Sequence, residues 1–110
     1  MTKFLLAYTA TASAAEEMQN GDPAGAQEEM DKWTAWAARC GEHLVDFGTP
    51  LGHAQTVSIA GAGPASASAI ITGYSLLEAD SMDAAVALLA GHPYFATPGY
   101  AIHAYESMPM

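Results

Sequence analysis

Cysteine and basic residues are both scarce in this 110-residue chain: one Cys, at position 40, and three bases, Lys3, Lys32 and Arg39. A single thiol excludes an intramolecular disulfide and any Cys-rich metal site. Three bases against 12 acids leave a formal charge of −9. No Lys or Arg patch exists to hold a phosphate backbone or an anionic bilayer, so neither nucleic acid nor a membrane surface is expected as a partner. Charge of either sign is also low, at 14%, while 51% of residues are hydrophobic. Such a chain must bury an unusual share of its surface or present apolar surface to a partner. Runs long enough to span a bilayer are missing as well. Lys3, the apolar Phe4–Ala7 and then Ala12-Ser13-Ala14 have the look of a signal peptide. That apolar run is about half the shortest usual signal core, and polar Thr9 and Thr11 keep it from extending. The segment is therefore expected to be the first strand of a cytoplasmic protein. At this length one domain with one core is expected.

The residues that are present fall into periodic patterns. Lys3–Thr9 alternates Phe4, Leu6 and Tyr8 on one face with Leu5 and Ala7 on the other, so this strand is apolar on both sides. Asp22-Pro23 starts a helix, Asp capping free amides and Pro losing no hydrogen bond at the first helical position. Its stripe is Ala26, Met30, Trp33, Ala37 and Cys40, with Trp36 at the border, Cys40 buried, and Gly41 as the stop. Leu44–Phe47 reads as a second, short strand, Gln55–Ala60 alternates again, Gly61-Ala62-Gly63-Pro64 reads as a turn, and Ala69–Leu77 as a third, strong strand, so the second and third runs should form a hairpin. Asp80 is expected to cap a second helix, with Asp83 completing the box and Met82, Ala85, Val86 and Leu89 buried. Gly91 ends that helix and Pro93 prevents it from resuming. Tyr100–Glu106 is the last strand.

The order β-α-β-β-α-β is the ferredoxin-like plan, an α+β fold with two helices on one face of an antiparallel sheet. Two helices cover one face only. The other should alternate to polar residues in a monomer, yet the first and third strands offer apolar residues on both sides. That leaves a patch of several hundred Å², more than a soluble monomer usually exposes. At about 25 cal/mol per Å², covering it stabilises an assembly by several kcal/mol. A homodimer through the sheet face, closing into a dimeric α+β barrel, is the simplest cover.

The stretch from Ile71 to Ala85, ITGYSLLEADSMDAA, then Gly91-His92-Pro93 and the last strand with Tyr105-Glu106, resembles the YCII-related (DGPF domain) family. Met30-Asp31-Lys32-Trp33-Thr34-Ala35-Trp36 and Gly48-Thr49-Pro50-Leu51 are similar to it too, so the likeness covers nearly the whole chain. The resemblance implies the dimeric ferredoxin-like α+β barrel. Members are mostly of unestablished function, some are associated with sigma-factor systems, and in part of the family a His-Asp pair is the suggested catalytic site. Here Ala62-Gly63-Pro64-Ala65 stands where the family has Asp-Gly-Pro-Phe, and no His directly follows the first strand.

Asp46-Phe47-Gly48 spells the kinase magnesium tripeptide without the other kinase elements. Gly61-Ala62-Gly63 leads into a strand, unlike a dinucleotide fingerprint. His43, His53, His92 and His103 lack metal-type spacing, and no cofactor is implied. The chemistry left is an imidazole beside a phenol in an apolar cleft, a workable acid–base pair near neutral pH. His92, His53 and Tyr74 are the candidate catalytic groups; Trp36, Gly73 and His103 are the candidate ligand-binding ones. Against this, His92 near a helix C-terminus is also explained as an imidazolium facing the negative end of the dipole. Gly73 within a strand marks close approach of a packed side chain or a ligand. Two functions of different classes fit this pattern. One is a homodimer with a small apolar pocket for a small organic ligand, with cofactor-independent acid–base catalysis as its extension. The other is a non-enzymatic structural or regulatory dimer that binds another protein. A cofactor-free oxygenase is a third reading, supported by fold alone.

Overall fold

The structure, a computed structural model, describes residues 1–11, 23–52, 54–64, 70–96 and 99–109. Strand β1 (Thr2–Ala10) is followed by helix α1 (Pro23–Cys40), a 3-10 turn (Gly41–His43) and β2 (Leu44–Asp46). Then come β3 (Gln55–Ser58), β4 (Gly61–Pro64), β5 (Ile70–Ala79), α2 (Met82–Leu88), a second 3-10 turn (Pro93–Ala96) and β6 (Tyr100–Glu106). Four strands form one antiparallel sheet in the order β2-β5-β1-β6. The protein is thus α+β, with two helices and an antiparallel four-stranded sheet, in an order compatible with the ferredoxin-like plan. Among the described residues, no helix is long and apolar enough to cross a membrane.

The register decides which residues meet the helices. Phe4 pairs with Leu77, Leu6 with Ser75 and Tyr8 with Gly73, so these six share one face. Phe4, Leu6 and Leu77 form one buried cluster with Trp36 and Cys40 of α1 and with Ala85 and Leu89 at α2. Both helices therefore cover the same side. Leu5 pairs with Leu76 and with Tyr105, and Ala7 with Tyr74 and His103, which sets these residues on the opposite, uncovered face. Because β1 is hydrogen-bonded on both sides, its two-faced apolar pattern is that of a central strand. Gly41 ends α1 at φ +57°, a conformation open to glycine at little cost. Cys40 is buried and free, and burial raises its thiol pKa.

Several sequence expectations are corrected. β5 takes β2 as an antiparallel neighbour, and among the described residues β3 and β4 pair only with each other, as a separate ribbon. The Gly61–Pro64 segment read as a turn is therefore strand β4, and the turn is Ile59-Ala60. Trp36 is central and 1% exposed, whereas Met30 of the expected stripe is 54% exposed. Cys40 of the expected stripe is buried and Trp33 and Ala37 are half-buried, so the buried face of α1 is turned only part-way from that stripe toward Trp36. Asp80 is not the cap of α2. Ser81 is, its hydroxyl accepting the Ala84 N–H at 3.1 Å. Met82 and Val86 are exposed while Ala85 and Leu89 are buried, so α2 lays down only half of its apolar stripe. Asp22 and the side chain of Ala26 lie outside the described residues.

Candidate functional site

Helix α1 presents Trp33 and Trp36, three residues apart and so neighbours on one side of the helix. Both rings lie against the imidazole of His92, with centroids 4.6 and 4.3 Å away. Tyr8 from β1 and Tyr94 from the second 3-10 turn close the remaining sides, and Phe47 stacks on Trp33 at 6.2 Å. His92, Tyr8 and Tyr94 are buried, Trp33 half-buried. The sheet and α1 thus hold one titratable imidazole in an aromatic box.

The hydrogen bonds in this box run in one direction, because both ends are backbone groups. The Tyr94 N–H donates to His92 Nδ1 at 3.0 Å. A neutral imidazole whose Nδ1 accepts carries its proton on Nε2, so Nε2–H donates to Tyr8 Oη at 3.4 Å. At the far end the Phe47 carbonyl can only accept, so Ser75 Oγ–H donates to it at 2.6 Å. Having spent its hydrogen there, Oγ accepts from Tyr8 O–H at 2.8 Å. Every donor in the chain Tyr94–His92–Tyr8–Ser75–Phe47 has one acceptor. A second branch joins Tyr94 Oη to the Thr9 carbonyl at 3.1 Å and to Thr72 Oγ1 at 2.7 Å. Among the described residues, no buried side-chain N or O lacks a partner.

Burial sets the proton affinities. The His92 pKa is lowered to about 4, first by desolvation and then by the nearby Arg39 guanidinium, so the ring is neutral at pH 7. The Tyr8 pKa is raised to about 12, mainly by burial, with the Ser75 bond acting against it. Burial raises Tyr94 as well. Chemically, the pair is an imidazole N–H donor and a neutral phenol in a low-dielectric box, with the phenolic hydrogen already committed to Ser75.

Of the residues marked from sequence, His92 and Trp36 meet in this box, and Gly73 borders it. A Cβ on Gly73 would touch the Thr49 carbonyl oxygen and the Tyr8 ring, so the close neighbour there is packed protein. Trp36 Nε1–H donates to the Leu88 carbonyl at 2.9 Å, tying α1 to the end of α2. Tyr74 is not the phenol beside His92. It pairs with Ala7, one residue out of phase with Tyr8, and so points from the opposite side of the sheet, where His103 flanks Ala7 from the other strand. His92 is not an imidazolium at a helix end, since burial keeps it neutral. His43 lies elsewhere, its Nδ1–H donating to the Glu78 carbonyl at 2.9 Å. His53 lies outside the described residues. Asp46 serves as a turn: its Oδ1 accepts the Gly48 N–H at 2.8 Å. Among the described residues, no group of three or more His, Cys, Asp or Glu side chains is placed to hold a metal ion.

Tyr8, Ser75, Trp33 and Tyr94 do not stand out in the sequence as site residues. One signal exists for Tyr8, which alternates with Phe4 and Leu6 on the helix-facing side of the first strand. Ser75 carries none, since a Ser between Tyr74 and Leu76 reads as a solvent-side residue.

A groove of about 760 Å³ lies apart from the box, between α2, the second 3-10 turn and β6, lined by Met82, Val86, Phe95, Ile102, His103 and Tyr105 among others. Its lining is mainly apolar, with His103 and Tyr105 as the polar side chains. A scan against protein-family models returns no match for the chain, and a search of curated proteins returns no relative.

Proposed function

We propose that the chain is a homodimeric binding module of the YCII-related (DGPF domain) kind, cytoplasmic, with two sheets facing one another as an α+β barrel. Its role is to bind another molecule, most readily a protein, and not to catalyse a reaction. The observation that carries this reading is the uncovered sheet face. Leu5, Leu76 and Tyr105 form one row across three strands and Ala7, Tyr74 and His103 the next, with Leu5 and Tyr105 exposed. A soluble monomer rarely leaves so continuous an apolar face uncovered. The closed run of hydrogen bonds through His92 and Tyr8 supports the same reading, because neither group has an unspent donor to offer a substrate. Sedimentation velocity at micromolar concentration tests it. The wild-type chain sediments as a dimer, and Leu76→Glu, which sets a carboxylate in the middle of the face, shifts it to a folded monomer. A wild-type monomer would sink the proposal.

The second reading, a site for a small organic ligand with His92 and Tyr8 as its acid–base pair, rests on Trp33. That ring is half-buried over His92, so a side-chain rotation opens the box. A thermal-shift screen with small aromatic and carboxylate compounds supports it if a compound raises the melting point by mass action and His92→Gln abolishes the rise.

A further inference from the structure

The β3–β4 ribbon is left exposed by its own chain. Gln55–Ser58 is exposed along its whole length, Val57 at 74%, and Ile59 at the tip is fully so. Two strands alone are marginal in water, and alternation puts Val57 on one face with its partner Ala62, against Thr56 on the other. At the opposite edge of the sheet lies β6, whose outer side from Ile102 to Glu106 is bonded by no described residue. Ser107 N–H donates to the Lys3 carbonyl and Thr11 N–H to the Gly99 carbonyl, in the same register as the rest of the β1–β6 pair. By antiparallel alternation, Ala101, His103 and Tyr105 bond to β1, and Ile102, Ala104 and Glu106 turn their N–H and C=O groups outward. No described residue bonds to those three outward groups. Beside that edge lies the apolar groove with exposed Met82, Val86 and Phe95.

Charge singles out these two surfaces. From Phe47 to Leu77 there is no Asp, Glu, Lys or Arg, and from Ala84 to Tyr105 there is again none. The first stretch builds the ribbon and the second builds the groove and most of β6. In a chain of −9 they can meet in a second copy without acid facing acid. Area points the same way. Four strands of 3, 10, 9 and 7 residues, about 4.8 Å apart, present about 450 Å² in projection, short of the roughly 800 Å² per partner of a standard interface. A face-to-face dimer needs additional contact.

We propose that the ribbon is an arm that crosses to the second copy, adds β3 to the outer edge of β6, and seats Val57 and Ile59 in the groove between α2 and β6. A two-fold axis running along the strands between facing sheets brings the ribbon side of one copy to the β6 side of the other. The groove is then completed only by the partner's side chains. The inference rests on the sheet-to-sheet dimer of the proposed function and extends it.

The test mixes two variants of different mass, Val57→Cys and Val86→Cys, each with the buried Cys40 replaced by Ala, and oxidises them. A covalent pair of one of each on a non-reducing gel supports the arm, with Val57→Cys and Glu28→Cys as the pair that should not link. In parallel, Ile59→Lys alters only a fully exposed side chain, and Ala104→Pro removes an N–H that no described residue uses, which an edge strand tolerates. Each raises the dimer dissociation constant by about tenfold or more. A dimer that sediments normally, forms no Val57–Val86 link and ignores Ile59→Lys overturns the arm and leaves the sheet dimer standing. A wild-type monomer overturns both.

Discussion

Acid should weaken this protein through His92. Free imidazole protonates near pH 6.5, while His92 in its box does so only at about 4. Between those values the unfolded chain binds more protons than the folded one, so stability rises with pH across the window and is lost as pH falls through it. The shift corresponds to about 3 kcal/mol in full, of which about 2 kcal/mol is expressed between pH 7 and about pH 4.5. The structure supplies the cause: a proton added at Nδ1 would meet the Tyr94 N–H that already points there at 3.0 Å. It would also create a cation out of reach of water and close to the Arg39 guanidinium. The assay is urea unfolding at both pH values and fixed protein concentration, followed by tryptophan fluorescence, for wild type and His92→Gln. The variant starts less stable at pH 7, because Gln cannot serve both Tyr94 N–H and Tyr8. It should then lose about 2 kcal/mol less than wild type on acidification. Equal losses in the two proteins would refute the placement of a neutral, buried imidazole.

The same bonds make Ser75→Ala costly: it strips the Phe47 carbonyl of its donor and Tyr8 of its acceptor, with an expected loss of about 1–3 kcal/mol in equilibrium unfolding. Tyr8→Phe combined with Ser75→Ala should lose less than the two single losses added, since the pair act on one bond. Trp36→Ala removes a ring that is 1% exposed at the centre of the core and its bond to Leu88, and should cost about 3–5 kcal/mol in the same assay. Gly48→Ala should leave little folded protein at about 37 °C by circular dichroism. Its φ is +82° and an added Cβ would land on the Tyr74 carbonyl oxygen, so the β2–β5 connection must move.

The elements were legible because their signals are local. Pro23 and Gly41 mark the ends of α1, Gly91 and Pro93 keep the chain after α2 from continuing as helix, and the apolar alternation of β1 and β5 is strong. The error at Gln55–Pro64 has a physical origin. Alternation in a short strand reports that it pairs, not with which partner, and two Gly residues made β4 read as a turn. The site was half legible for a related reason. His92 and Trp36 stand out by residue type, but the sequence points to Tyr74 and not to Tyr8, because it gives no account of which face of β5 the helices cover. One residue of register reverses that choice.

Composition and neighbouring residues therefore determined, through the sequence alone, the α+β class, the ends of α1, a strongly acidic chain, and a first strand apolar on both sides. Only the tertiary structure decided that Tyr8 and not Tyr74 meets His92, that Ser75 completes their bonds, and that the ribbon stands apart from the sheet. Those outcomes depend on contacts between residues up to 84 positions apart. They are fixed by strand register and by the requirement that every buried donor find an acceptor, neither of which a local pattern carries.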